Sequence, residues 1–254
     1  MLKALSLNVG RGLSSYKECL LFLEKQVTQG LDVACFQDIS EKNVNDLRKI
    51  FGECYFFAPM CRHMYKGLDG QAVGIGIFTK NIPIESVIIT AYVNNVYPIN
   101  NLAGLDENGN HTDLALIRKT ESRILLTCNL HKDGKKYSIA TTHGVWVKGG
   151  APDDHQRDGT NRLFEIVNAE NLVLAGDMNF SRGGEIYKLF VKDRIHDCLP
   201  QTIDNTLDPV NHSLRGKLKI VSDYVFSIGD QYEVMDVNAE FGVSDHAGIT
   251  FSIS

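Results

Sequence analysis

The sequence predicts an α+β protein in which two β-sheets pack face to face with helices on the outside. Three observations carry this. Helix-like and strand-like runs alternate in the first third of the chain and strands dominate afterwards. Consecutive strands are joined in places by tight turns, and no low-complexity linker or internal repeat interrupts them. A chain of 254 residues can form one such unit, so a single domain over residues 1–254 is expected.

The elements follow in order. LKALSLNV, residues 2–9, alternates apolar and polar positions as a half-buried strand does. From Ser14 to Gln29, Leu20, Leu23 and Val27 fall on one helical stripe, and Gly30 is a stop signal. Leu31 to Gln37 is a buried strand, and Ser40 is placed to cap a helix whose Val44, Leu47 and Phe51 share a face. Strands are expected at Cys54–Ala58, Ala72–Thr79 and Val87–Tyr92. The Asn- and Gly-rich stretch 93–111 is a loop excursion, with strands resuming directly after it. RILLTCNL and KYSIATTH flank Asp133-Gly134, a hairpin signal. A helix carrying Leu163, Ile166 and Val167, the strand NLVLAG, a helix over Glu185–Val191 and strands at Lys219–Ser227, Tyr232–Asn238 and Ala247–Ser252 complete the chain.

Composition narrows the function classes. A net charge of -5 argues against a broadly basic surface for coating nucleic acid, while leaving room for a local basic rim. No run approaches ~20 apolar residues, the length a spanning helix requires, and the N-terminus lacks the features of a secretory signal in series. Cys19, Cys35, Cys54, Cys61, Cys128 and Cys198 form no C-x-x-C pair, and several sit in apolar runs. Reduced core thiols and a cytoplasmic location are therefore expected. Without HExxH or a cysteine cluster, zinc has no support.

Polar residues gather where strands end: Asn8, Gln37-Asp38, His143, Asp177 and Asn179, Asp223, and Asp245-His246. A hard divalent cation takes carboxylate and amide oxygens, and hydrolysis of a phosphate ester needs a metal, a positioned water and donors for the developing charge. In this order SLNVGRG, CFQD, TTH, LAGDMN, VSDYVF and SDHAGI, spanning residues 5 to 249, resemble the successive motifs of the endonuclease/exonuclease/phosphatase superfamily. The resemblance implies a four-layer α/β/β/α sandwich of two mixed β-sheets flanked by helices, and a metal-dependent phosphoesterase using magnesium, with manganese as the alternative.

It also implies roles. Asp38 is similar to the acidic metal ligand, with Asn8 beside it and Asp245 completing the site or acting through water. Asp177 is similar to the residue that positions or deprotonates the attacking water, and Asn179 to the one holding a phosphate oxygen. His246 resembles the histidine that contacts the phosphate and pairs with a carboxylate, here Asp223. His143 matches the histidine of the deoxyribonuclease and phosphatase branches, which donates to the phosphate or protonates the leaving oxygen. The family usually has Gln-Glu where this chain has Gln37-Asp38. The shorter ligand implies a small backbone shift or a water-mediated contact.

Among the basic loop residues Arg11, Arg62, His63, Lys66, Lys148, Arg157 and Arg182, the last and Lys148 are the expected substrate contacts, being close in sequence to Asn179 and His143. Trp146 is read as loop packing rather than base stacking, and His111, His131 and His155 as solvent-exposed. The expected activity is hydrolysis of a phosphodiester, with nucleic acid as the substrate class and a nuclease or DNA-end-processing enzyme preferred to an abasic-site enzyme. A small phosphate ester, inositol phosphate or lipid head group is the alternative, and a non-catalytic binding module a second one. No protein partner follows from the sequence, and a monomer is expected.

Overall fold

The computed structural model describes residues 1–10, 15–95, 99–214 and 216–254. Two six-stranded sheets stack face to face. The first has the order β11-β12-β1-β2-β4-β3, from β1 (Leu2–Asn8), β2 (Val33–Ser40), β3 (Tyr55–His63), β4 (Gln71–Thr79), β11 (Val234–Glu240) and β12 (Gly248–Ile253). The second has the order β5-β6-β7-β8-β10-β9, from β5 (Ile84–Val93), β6 (Arg123–Lys132), β7 (Lys135–His143), β8 (Leu172–Asp177), β9 (Ile195–Asp197) and β10 (Asp223–Ile228). Each sheet is mixed in the same way. One parallel pair, β1 with β2 or β7 with β8, lies at its centre, and its other pairings are antiparallel.

Helices cover both outer faces, which completes the four-layer α/β/β/α sandwich. On the first sheet, α1 (Tyr16–Thr28) and α2 (Glu41–Phe51) bury Cys19, Leu23, Val44, Leu47 and Phe51 against Leu5, Leu7, Ala34 and Phe36. Phe36, Phe51 and Phe78 form a ring cluster there, with centroids 5.5 to 6.0 Å apart. Truncating one such ring to alanine costs roughly 3–5 kcal/mol. Ser40 caps α2 in a capping box with Asn43, as its position before the apolar stripe predicts. On the second sheet, α4 (Asp154–Val167) and α5 (Glu185–Phe190) bury Leu163, Val167, Ile186 and Phe190.

The β6–β7 hairpin turns at Asp133 and Gly134, whose φ values of 51° and 77° are those of a type I′ turn. Elsewhere the sequence-based boundaries need correction. β3 runs five residues past Ala58 because Pro59 sits at a register shift on an edge strand, where a missing N–H is tolerated. A short helix, α3 (Leu114–Thr120), separates the excursion from β6 and is capped by the Asp113 carboxylate. It is too short to show a helical period. Three-residue β9 escapes for the same reason, and β10 begins at Asp223 rather than Lys219. The expected helix start at Ser14, like Arg11, lies outside the described residues. In α1 Cys19 and Leu23 are buried, whereas Leu20 and Val27 are only half-buried. None of the six cysteines, all among the described residues, is in a disulfide, and Cys54 and Cys198 are half-buried rather than core.

Candidate active site

The carboxyl ends of the two central parallel pairs face each other across the sandwich, and strand register lines up the polar residues there. In the second sheet His143 of β7 lies opposite Asp177 of β8, which lies opposite Asp223 of β10. In the first, Asn8 of β1 lies opposite Gln37 of β2. Two buried bonds tie the rows together. The Asn8 amide donates to Asp177 Oδ2 at 3.0 Å, and that of Gln37 to Thr141 Oγ1 at 2.8 Å.

Asp177 is the hub. Its Oδ1 accepts the Asn179 N–H at 2.9 Å, which closes the turn after β8 with Asn179 at a φ of 55°. Its Oδ2 meets Asn8, His143 Nε2 at 3.6 Å and His246 Nε2 at 3.8 Å. The turn chemistry of Asp177 and a chemical role therefore use different oxygens of one carboxylate. Burial, and then the neighbouring Asp223, raise the Asp177 pKa above the ordinary carboxylate value against the pull of both histidines. Asn179 also donates to the Gly144 carbonyl at 3.1 Å. A side chain on Gly144 would collide with the Met178 carbonyl, so β7 and β8 can approach this closely only at a glycine.

The two histidines beside Asp177 differ in character. Burial opposes charge on His246, but Asp223, Asp177 and the 2.9 Å hydrogen bond from Nδ1 to Asp223 Oδ2 outweigh it, pushing the pKa up to about 10. His246 is an imidazolium at neutral pH. For His143, burial and then the Arg123 charge outweigh the attraction of Asp177 and Asp38, lowering the pKa to about 4. Its Nδ1 is buried without a hydrogen-bond partner, and its carbonyl accepts from Arg123 and the Tyr92 hydroxyl.

Two sets of residues carry donors that a cation takes. Asp177, Asp223 and His246 offer ligand atoms within 4.8 Å of one another, and His246 Nδ1 is already hydrogen-bonded to Asp223 Oδ2 at 2.9 Å. Asn8, Asp38 and Asp245 offer oxygens only, the donors a hard cation takes. Gly10 N–H donates to Asn8 Oδ1 at 2.9 Å, and a Cβ on Gly10 would lie 2.6 Å from Asp245 Oδ1. The bare glycine, at a φ of 53°, thus lets the Asp245 carboxylate lie against the turn that follows β1. Asp38 lies within β2 rather than after it, at a φ of 54°, where the pairing with β4 shifts between Phe36 and Ile39. The shorter acid coincides with a bulge, and its charge reaches His143 and Arg123.

The two expected substrate contacts fare differently. Arg182 donates to Asp197 Oδ2 and to the carbonyls of Leu199, Pro200 and Ile203. Its guanidinium rivets the chain around β9 and is spent there, which removes it from the substrate-binding set. Lys148 is exposed in a short 3₁₀ turn at Lys148–Gly150. Arg62 and His63 lie in β3 rather than a loop, and Arg157 lies in α4, paired with Glu185 and Asp154. The Trp146 ring packs edge-on to His111 at 4.4 Å. His155, expected at the solvent, is half-buried in α4.

Three residues near the site carried no sequence signal. Arg123 opens β6, where a charged residue ordinarily reads as surface, yet it is buried and paired with Glu121 at 2.9 Å. Asp208 and His212 fall in a stretch without periodicity.

No protein-family model matches the sequence, and no curated protein matches it. Solved structures do match the fold. An endonuclease/exonuclease/phosphatase family protein from Leptotrichia buccalis has a TM-score of 0.68 at 16% identity over 100% of both chains. TDP2 of D. rerio, complexed with a single-strand DNA product, has a TM-score of 0.68 at 16% identity, covering 100% of this chain and 98% of its own. A mannosyl-6-phosphatase of Bacteroides thetaiotaomicron has a TM-score of 0.66 at 13% identity over 100% of both. The chain has the fold of the endonuclease/exonuclease/phosphatase family.

Proposed function

We propose that the protein is a divalent-metal-dependent phosphoesterase and that its substrate is a phosphodiester in nucleic acid. The observation that carries this is the Asp177 carboxylate, with one oxygen pinned by its own turn and the other set beside the Asn8 amide at 3.0 Å, His143 Nε2 at 3.6 Å and His246 Nε2 at 3.8 Å. Asn8, Asp38 and Asp245 would hold magnesium, with manganese as the alternative, which supplies positive charge to polarise the phosphate.

The chain's own residues do the rest. Asp177 Oδ2 orients a water and accepts its proton as the water oxygen attacks phosphorus; the ester P–O bond breaks with its electron pair on the leaving oxygen, which takes a proton from solvent, and the raised pKa of Asp177 suits it to act as the base. His246 donates from Nε2 to a non-bridging oxygen as negative charge builds, with Asp223 holding the ring. His143, neutral, donates a hydrogen bond to the phosphate. Asn179 has a second amide hydrogen to offer beyond the one given to Gly144.

The D. rerio neighbour with its DNA product supports a nucleic-acid substrate. A small phosphate monoester is the second reading, favoured by the mannosyl-6-phosphatase neighbour and by the net charge of -5. Hydrolysis of bis-p-nitrophenyl phosphate, p-nitrophenyl phosphate, single- and double-stranded DNA and RNA, each with magnesium, manganese or chelator, tests both. Metal-dependent cleavage of diesters supports the first reading, and phosphate release from monoesters with DNA untouched selects the second. Silence from a folded, metal-binding protein would leave a non-catalytic binding module.

A further inference from the structure

A third histidine stands against His246. The His212 ring packs edge-on to that of His246, with centroids 5.8 Å apart and planes at 81°. Its Nδ1 accepts the Leu214 N–H at 3.2 Å, so in the neutral ring the proton sits on Nε2. The turn beneath it is heavily built. The buried Asp208 carboxylate takes N–H bonds from Val210, Asn211 and Gly242, Asp208 N–H donates to the Asp245 carbonyl, and Asn211 donates to the Ser244 carbonyl. His212 is thereby locked to the same loop that carries Asp245 and His246. Burial and then the His246 charge hold its pKa below the ordinary value, so it stays a neutral donor. The surrounding sequence is unusual for an acidic chain: residues 209–222 contain Arg215, Lys217 and Lys219 and no carboxylate.

We propose that His212 is a substrate contact, donating from Nε2 to the phosphate that flanks the scissile one on a nucleic-acid strand. This rests on the phosphodiesterase reading above. A flanking contact serves only a substrate long enough to reach it, so His212 separates an extended strand from a minimal diester.

The test compares wild type, His212→Ala and His212→Gln on a single-stranded oligonucleotide and on bis-p-nitrophenyl phosphate, with thermal melting as the fold control. The expected result is a KM on the oligonucleotide raised about 10-fold by alanine, in line with a lost hydrogen bond to a charged group, and partly restored by glutamine. Both variants keep the small diester within about 2-fold of wild type. An equal loss on both substrates, or no loss on either, overturns the proposal. Oligonucleotide affinity is also measured by fluorescence anisotropy in the Asp177→Asn background with and without His212→Ala. If wild type cleaves nothing, the phosphodiesterase reading fails, and this titration still decides His212: affinity unchanged by alanine overturns it.

Discussion

The two sides of the site are built by different means. On the β7–β8–β10 side, register alone sets His143, Asp177 and Asp223 in a line, and side chains bond to one another within it. On the β1–β2 side, the row is broken by a bulge at Asp38 and completed by Asp245 from a loop, beside a glycine that leaves it room. Regular pairing holds at fixed distances the groups proposed to transfer a proton and stabilise charge. On the proposed reading, the irregular backbone supplies the oxygens that would hold the cation. The regular side should therefore govern turnover and the irregular side metal affinity.

The sharpest test of that division is Asp177→Asn, expected to lower kcat by at least about 10³-fold, within the range seen when a central catalytic group is removed. The same change should raise stability in the absence of metal. The folded-state pKa of Asp177 lies above its unfolded value, so its ionised form is a cost at neutral pH that asparagine removes. Thermal melting in chelator checks it, and a fall in the melting temperature would show that the buried carboxylate is stabilising.

Next come His246→Ala and Asp223→Ala, each expected to cost about 10²–10³-fold in kcat/KM, with the double variant little worse than either single because the two act as one charged pair. Additive losses would separate them. His143→Ala should cost roughly 10²-fold. On the irregular side, Gly10→Ala pushes a methyl into Asp245 and strains a positive φ, so magnesium affinity should fall about 10-fold or more, with kcat at saturating metal changed far less. An equal loss of kcat would mean the two sides are not separable. The smallest effect on turnover belongs to Arg182→Ala: stability falls by about 3 kcal/mol as Asp197 loses its partner, while kcat/KM in the folded protein stays near wild type.

The regular side was also the more legible in sequence. YSIATTH and NLVLAGD have strand periodicity that ends on the functional residue, so His143 and Asp177 can be placed from pattern alone, and the TTH and GDMN motifs add to it. Asp223 needed only the strand it opens. The bulge at Asp38 could not be foreseen, because a left-handed residue inside a strand leaves the alternation around it unchanged; only the missing methylene hinted at a shift. Arg182 misled because closeness in sequence to Asn179 says nothing about which way a long side chain turns, and the partners that claim it lie 15 to 21 residues further on. Arg123 and His212 depend on packing between distant segments, which no local pattern reports.

The opposite protonation of the two histidines also sets how the fold responds to pH. His246 has a raised folded-state pKa, so its contribution to stability is complete below about pH 6.5 and is lost as pH rises through about 10. His143 is held neutral, so stability falls as pH drops from about 6.5 towards about 4, where the unfolded chain takes up a proton that the folded one resists.

The most direct test of the account as a whole is the rate of bis-p-nitrophenyl phosphate hydrolysis by the wild-type protein across pH, with magnesium and with chelator. The expected profile is a plateau that falls on the acid side as Asp177, raised above its ordinary value, takes up a proton. It falls on the basic side as His246 loses its proton near 10, and it vanishes in chelator. Hydrolysis indifferent to chelator, or a basic limb centred near the ordinary histidine value of about 6.5, would contradict it.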